Sequence, residues 1–249
     1  MITALTEFVL RATLEQCRQW AAAGLVLDIS VNLSMRNLLD ASFPATVGEL
    51  LAASAVDAGR LTLEITETNV MSDPARTLHV LDELSALGVR LSIDDFGTGY
   101  SSLAYLNKLP ADEIKIDKSF VFPMASDPAA ESLVRSIIEL GHALGLTVVA
   151  EGIEDEATWQ RLHALGCELA QGYYLARPIS AAEITELCHR QALERLERLT
   201  VAEAPPLPAF PLPAIHELGG RIVGELSPAS SDQARTTYGG SRVHPDDGW

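Results

Sequence analysis

Hydrophobic positions along the chain fall into two alternating periods. Leu5, Phe8, Val9 and Ala12 share a helical face within residues 4–22, and Gly24 suits a C-terminal cap. The β-branched run Leu25 to Asn32 follows. A second helical segment ends near Ala58-Gly59 and gives way to a strand over Leu61 to Glu67. Asp73-Pro74 reads as an N-cap with proline in the first turn. Leu78, Leu81 and Leu84 then repeat at helical spacing up to Gly88. The strand Val89 to Ile93 runs into Asp94-Asp95 and a Gly-rich loop. Leu103 to Leu109 predicts a short helix stopped by Pro110, and Glu113 to Asp117 alternates as a strand does. Asp127-Pro128 opens another helix, with Leu133, Ile137, Leu140 and Leu144 as its stripe and Gly145 at its end. Leu146 to Glu151 is the next strand. Asp155 caps a helix carrying Trp159 and Leu162; Cys167 to Ala170 is a brief strand, and Tyr173 to Leu175 reads as one more. Ser180 to Glu183 is a capping box opening a helix to about Leu199.

The pattern is a repeat. Ala23-Gly24, Ala58-Gly59, Leu87-Gly88, Leu144-Gly145 and Leu165-Gly166 each precede an apolar strand. Those strands end on Asn32, Glu64, Asp94, Glu151 and Gln171, and Lys115 and Asp117 hold the same place in the strand lacking such a glycine. Helices alternating with near-continuous apolar strands imply a parallel α/β sheet, either doubly wound and open or closed as a (β/α)8 TIM-like barrel. Polar groups spread over so many strand ends favour the barrel, whose active sites gather at that face. An open sheet concentrates its site at one switch point, and no Gly-x-Gly-x-x-Gly follows the first strand.

Residues 1–200 form the barrel domain in this reading. Residues 201–249 change character: Pro205, Pro206, Pro208, Pro211 and Pro213 cluster, and Ser, Gly, Thr and Asp dominate the end. They predict a Pro-rich linker and a largely disordered tail, in which Leu218 to Leu226 has no assigned packing partner.

Composition narrows the function. The chain has 249 residues, 47% hydrophobic, and a formal net charge of -16. So acidic a surface repels nucleic-acid polymers, although a bound metal inverts the local field for a small phosphate ligand. The three cysteines, Cys17, Cys167 and Cys188, form no Cys-x-x-Cys pair, which favours a reducing, cytoplasmic setting over a thiolate zinc site. No apolar run approaches a membrane span, and no basic leader opens the chain.

The strand ends bring together Asn32, Glu64, Asp94 and Asp95, an all-oxygen set suited to Mg2+ or Mn2+. An aspartate bridging two ions about 3.5–4 Å apart makes a two-metal phosphoester site. In it Glu151 completes a shell or acts as a base, while Lys115 and Gln171 orient water or phosphate. Taken singly, each residue has a structural alternative. Asn32 suits a turn, Glu64 and Glu67 a solvated strand face, and Lys115 an ion pair with Asp112 or Asp117. Glu151 and Glu154 suit a helix N-terminus.

In order, the chain carries Asn32-Leu33-Ser34, Leu63-Glu64-Ile65-Thr66-Glu67, Asp94-Asp95-Phe96-Gly97-Thr98-Gly99-Tyr100-Ser101-Ser102, Lys115-Ile116-Asp117, Ala150-Glu151-Gly152-Ile153-Glu154 and Gln171-Gly172-Tyr173. This set resembles the EAL-domain family of cyclic-di-GMP phosphodiesterases over roughly residues 3–190. The resemblance implies an EAL-type TIM-like barrel and two-metal, Mg2+- or Mn2+-dependent hydrolysis of cyclic-di-GMP to linear pGpG by a homodimer. Asn32, Glu64 and Asp94 look like ligands of a first metal, and Asp94, Asp95 and Glu151 like partners of a second. Lys115 and Gln171 look like the residues around the catalytic water. Glu67 looks like the support of the loop at 96–102, which includes Ser101. Asp117 and Glu154 belong to the same motifs without a defined role.

The chain departs from that family in lacking the first-strand Glu-Ala-Leu segment, whose glutamate is a ligand of the first metal, and a nearby substrate-binding arginine. Glu15-Gln16-Cys17 and Glu49-Leu50-Leu51 are helical and out of order. The expectation is therefore an incomplete barrel whose first strand is missing through N-terminal truncation, with compromised activity. The alternative is an inactive module that binds cyclic-di-GMP or a protein partner. A lyase using Lys115 as a Schiff-base amine fits poorly, because the surrounding carboxylates hold Lys115 charged.

Overall fold

The computed structural model describes residues 2–99, 103–190, 221–225 and 235–239, without the side chains of Ile2, Met71, Ser72, Leu103, Ala104 and the two C-terminal segments. The chain opens with α1 (Ile2–Ala22), β1 (Asp28–Asn32), α2 (Met35–Leu38), α3 (Phe43–Ser54), β2 (Leu61–Thr66), α4 (Glu67–Ser72) and α5 (Pro74–Ala86). It continues through β3 (Arg90–Phe96), α6 (Leu103–Leu106), β4 (Glu113–Ile116), α7 (Lys118–Val121), α8 (Pro128–Ala143), β5 (Thr147–Glu151), α9 (Glu156–Ala164) and β6 (Leu169–Gln171). A helix over 181–190 follows, then β7 (Arg221–Glu225) and β8 (Arg235–Gly239).

β1 to β6 pair in sequence order, every pair parallel, as helical crossovers of this length require. Both faces of these strands are buried: Leu61, Leu63 and Ile65 of β2 and Ile114 and Ile116 of β4 are fully inaccessible on one face, and Thr62, Glu64, Glu113 and Lys115 are buried on the other. The helices lie outside this curled sheet, and residues from nearly all of them enter one continuous core. The expected α/β barrel architecture is thus present as a parallel six-strand curl with flanking helices.

The predicted helix boundaries have physical causes that the structure displays. Asp73 and Asp127 accept backbone N–H groups at the starts of α5 and α8, each followed by Pro74 or Pro128 at N1. Asp155 caps α9 through the Thr158 N–H, and Ser180 and Glu183 exchange both bonds of their capping box. Gly24, Gly88, Gly145 and Gly166 all adopt positive φ at helix ends.

Phase and length were harder to read. The buried arc of α1 is Thr6, Leu10, Leu14, Cys17 and Trp20, while Leu5 and Phe8 are 47% and 65% exposed. The period is as expected, but docking against α3 and a bond from Trp20 Nε1 to Thr185 Oγ1 (2.8 Å) select a different arc. On α8 the inner residues are Val134, Ile137, Ile138 and Gly141, with Leu133 exposed. Gly141 decides that phase: a Cβ there would lie 2.5 Å from Val148 Cγ2. Tyr173 to Leu175 is a turn rather than a strand, closed by the Tyr174 N–H to Ile153 O and the Leu175 N–H to Gly172 O. Glu67 opens α4 instead of ending a strand, because Thr66 caps that helix by accepting the Asn69 N–H.

Two stretches of the segment read as linker and tail are strands. β7 pairs parallel with the outer edge of β1, from Asp28 opposite Arg221 to Val31 opposite Gly224, and β8 pairs antiparallel with β7. The sheet order is β6-β5-β4-β3-β2-β1-β7-β8, and β8 comes back against β6. An open strand edge presents unpaired N–H and C=O groups, and Arg221-Ile222-Val223-Gly224-Glu225 has the β-branched centre needed to cover one. The Pro-rich cluster itself, and the predicted helix beyond residue 190, lie outside the described residues.

Candidate functional site

The candidate residues sit where successive parallel strands end together. Asn32 ends β1 and pairs in register with Glu64 of β2; Thr66 pairs with Asp94 of β3, and Glu151 of β5 with Gln171 of β6. Lys115 lies between them on β4, opposite Val149 of β5. Polar–apolar alternation ordinarily marks a half-solvated strand, yet Glu113 and Lys115 of β4 are as buried as Ile114 and Ile116. Their face is the inside of the curl. Glu113 accepts a bond from Ser92 Oγ there (2.7 Å), at the end of β4 away from the candidate cluster.

Lys115 is 3% exposed and carries three carboxylates on its ammonium: Glu151 Oε1 at 2.5 Å, Glu64 Oε2 at 3.1 Å and Asp94 Oδ1 at 3.4 Å. Neither Asp112 nor Asp117 is its partner. Asp112 accepts the Leu91 N–H, and Asp117 accepts the Ser119 N–H as the cap of α7. Burial alone would depress the Lys115 pKa, but the attraction of Glu64, Glu151 and Asp94 outweighs it and holds the ammonium charged. Burial, with the charges of Asp94 and Glu64, lifts the Glu151 carboxyl to about 7 against the opposing pull of Lys115. One ammonium cannot neutralise so many carboxylates, so the cluster holds an extra proton or takes a cation.

Adjacent residues of a regular strand point to opposite faces, so Asp94 and Asp95 should diverge. The β3–β4 register shifts between Ile93 and Phe96, and Asp95 takes φ 55°, a left-handed conformation that Asp tolerates better than most residues. The bulge brings both carboxylates round: Asp94, Asp95 and Glu151 each offer an oxygen within 4.8 Å of the others. Glu64 is fully buried, and its Oε1 has no hydrogen-bond partner. A buried, unpartnered carboxylate oxygen beside three clustered carboxylates suits a hard divalent cation bound through oxygen.

Glu67, 2% exposed, stands under the Gly-rich loop, where its Oε2 accepts the Gly97 N–H (2.9 Å) and the Gly99 N–H (3.4 Å). Asn32 and Gln171 are half-buried at the rim. Glu154 is exposed in the loop after β5 and makes none of the ion pairs on Lys115. Ser101 lies outside the described residues. Sequence reasoning missed Thr66, whose cap fixes where Glu67 enters α4; Thr66 followed by a helix-compatible Glu-Thr-Asn was the available signal.

A model of the EAL domain family matches residues 1–178. The bifunctional diguanylate cyclase/cyclic di-GMP phosphodiesterase MucR of Pseudomonas aeruginosa is 42% identical over 185 residues, covering 74% of this chain and 27% of MucR. The cyclic di-GMP phosphodiesterase NbdA of the same organism is 40% identical over 187 residues, covering 75% of this chain and 24% of NbdA. The chain thus spans about a quarter of the length of these relatives. Among solved structures, the PaMucR phosphodiesterase in complex with c-di-GMP has a TM-score of 0.71 at 42% identity, covering 74% of each chain. The EAL domain of Mycobacterium smegmatis DcpA has a TM-score of 0.70 at 38% identity, covering 75% of this chain and 84% of that one. A parallel curl, a carboxylate cluster at its strand ends and a matching family model over most of the chain lead to one assignment: the chain belongs to the EAL domain family.

Proposed function

We propose that this chain is a phosphodiesterase domain that opens cyclic-di-GMP to linear pGpG with two divalent cations, Mg2+ or Mn2+. The observation that carries the reading is the convergence of Glu64, Asp94 and Glu151 on Lys115, with Asp95 beside them. Asn32, Glu64 and Asp94 would hold one ion, and Asp94, Asp95 and Glu151 the other. Such ions supply Lewis-acid polarisation of a phosphate oxygen and favour deprotonation of a nearby water at neutral pH. Lys115, held charged by its neighbours, steadies the negative charge that builds on the phosphate. Gln171, in register with Glu151, orients the attacking water from the rim. Glu67 keeps the loop from residue 97 onward seated through the Gly97 and Gly99 amides.

Two further expectations accompany the reading. The domain works as a homodimer, which sedimentation analysis would test. The free thiols Cys17, Cys167 and Cys188 fit a reducing compartment such as the cytoplasm. Among the described residues, no helix is long and apolar enough to cross a membrane.

The test incubates the purified chain with cyclic-di-GMP and Mn2+, follows pGpG by chromatography, and measures binding in Ca2+. Turnover that Glu151→Ala abolishes is the expected result. Tight binding without turnover would replace the enzyme with a cyclic-di-GMP receptor, and neither binding nor turnover by a folded chain would overturn both.

A further inference from the structure

The strand ends that supply Asp94, Asp95 and Glu151 each run into a glycine with a left-handed backbone. Gly97 (φ 98°) follows Asp95-Phe96, and Gly152 (φ 74°) follows Glu151 directly. Neither glycine has room for a side chain, and the obstacle in both cases is α7 with the residue after it. A Cβ on Gly97 would lie 2.9 Å from Phe120 Cε2. One on Gly152 would lie 2.5 Å from Lys118 Cβ and 3.0 Å from Phe122 Cε1. This short helix is thus wedged between the two loops, with Phe120 against one and Lys118 and Phe122 against the other.

The wedge is anchored independently of the carboxylates. Asp117 caps its start by accepting the Ser119 N–H (3.0 Å), Val121 is fully buried, and the helix packs against α8 and β5. Phe120 lies half-buried against the core, and Phe96, between Asp95 and Gly97, pairs in register with Ile116 just before the cap. A left-handed residue such as Asp95 persists only where its surroundings over-determine it. Glu67 holds Gly97 from below by accepting its N–H, and the Phe120 ring closes the side. Glu67 acts on the loop after β3, whereas α7 reaches the loops after both β3 and β5. Those strands are not neighbours, since β4 lies between them, so a contact spanning both ends is what fixes their carboxylates relative to each other.

We infer that α7 sets the spacing of Asp94 and Asp95 against Glu151, with Phe120 as a positioning residue for the ion those three carboxylates share and Asp117 as the cap that keeps the wedge in place. This rests on the proposed two-ion reading and gives Asp117, whose motif carried no defined role, a physical one. Residues that orient metal ligands from outside account for about 10- to 100-fold in metal affinity or activity. Close packing makes the arrangement stiff: a ring removed at Phe120 frees Gly97, and the left-handed turn at Asp95 loses one of its two supports.

The experiment uses the full chain and separates positioning from packing. Phe120→Ala should weaken Mn2+ binding, read by calorimetry, about tenfold and lower kcat for pGpG formation about as much, with little change in KM for cyclic-di-GMP. Phe120→Leu, which keeps most of the bulk, should recover most of both. In EDTA, where no ion is bound, hydrogen exchange over residues 96–99 should quicken in Phe120→Ala. Asp117→Ala, which loosens the helix without opening a cavity, should quicken exchange over 96–99 and 151–153 together and weaken Mn2+ binding in the same direction. Leu84→Ala is the packing control: Leu84 is fully buried near the end of α5, which leads into the start of β3, at the opposite end from Asp94. It should lower the urea midpoint as much as Phe120→Ala and leave Mn2+ affinity unchanged. Wild-type Mn2+ affinity in whichever of the Phe120 and Asp117 variants folds would overturn the inference and leave the phosphodiesterase reading standing. Mn2+ binding that weakens in those variants, with no pGpG formed by the wild type, would sustain the inference and overturn the hydrolysis. A folded wild-type chain that binds no Mn2+ would overturn both.

Discussion

Lys115 Nζ stands 3.1 Å from Glu64 Oε2, while the other oxygen of the same carboxylate, Oε1, is buried without a partner. The pair is fully enclosed, with the side chains 3% and 0% exposed. Such a pair is weak evidence of stability, because desolvation offsets much of the attraction. Its half-satisfied state makes sense as preparation for a cation, with the lysine holding the carboxylates together until one binds.

Lys115→Met therefore leaves Glu64, Asp94 and Glu151 facing one another without their common counter-charge. Removal of one partner from a buried ion pair costs about 3–5 kcal/mol. Urea unfolding in EDTA should show that loss, and Mn2+ should restore a larger share of stability to the variant than it adds to the wild type. A variant unaffected by Mn2+ would refute the view that ion and ammonium answer the same charge.

Glu67 and Gly99 are the two halves of one contact. A Cβ on Gly99 would lie 2.7 Å from Glu67 Oε1. Gly99→Ala should push the loop off its support, and Glu67→Ala should remove the support, which accepts two backbone N–H bonds. Hydrogen bonds to a charged group contribute about 1.5–3 kcal/mol each. Both variants should lower pGpG formation about tenfold or more, with Glu67→Gln recovering part of it, as followed by initial rates. Full activity in Gly99→Ala would detach the loop from the reaction.

Gly141 tests the core where α8 meets β4 and β5. Alanine is favoured in a helix over glycine by about 1 kcal/mol, but overpacking costs about 1–3 kcal/mol. The clash at Val148 and Ile114 should win, and Gly141→Ala should lower the melting temperature by a few degrees. Gly172→Ala should do worse, since its Cβ would meet backbone atoms of Ile153, which cannot swing aside as a side chain can. Calorimetry ranks the two; the reverse order would contradict this packing.

Burial pushes the thiols of Cys17 and Cys167 from 9.0 up to about 12. A raised thiol pKa means the unfolded chain ionises first, so this stability is intact below about pH 9 and drains away as pH climbs toward 12. The slope is about 1.4 kcal/mol per pH unit for each fully buried thiol in that window. Urea midpoints at pH 8 and pH 10.5 should show the decline, and Cys167→Ala should flatten it. A decline of equal steepness in the variant would assign it to other groups.

The sequence by itself determined the local and the repetitive features. Asp-Pro and Ser-x-x-Glu caps, positive-φ glycines and runs of β-branched residues act within a few residues of themselves, so the helix–strand order and the strand-end candidates Asn32, Glu64, Asp94, Lys115, Glu151 and Gln171 were legible without a partner in view. Only the tertiary structure decided what depends on distant neighbours. The inward arcs of α1 and α8 are set by α3 and by Val148 against Gly141. The bulge that turns Asp94 and Asp95 to one side shows in the register of β3 with β4. The bare oxygen of Glu64 and the raised pKa of the Glu151 carboxyl follow from burial around one ammonium. Strand pairing is non-local, and so nothing within residues 221–225 could reveal that they lie along β1, some two hundred residues away in the chain.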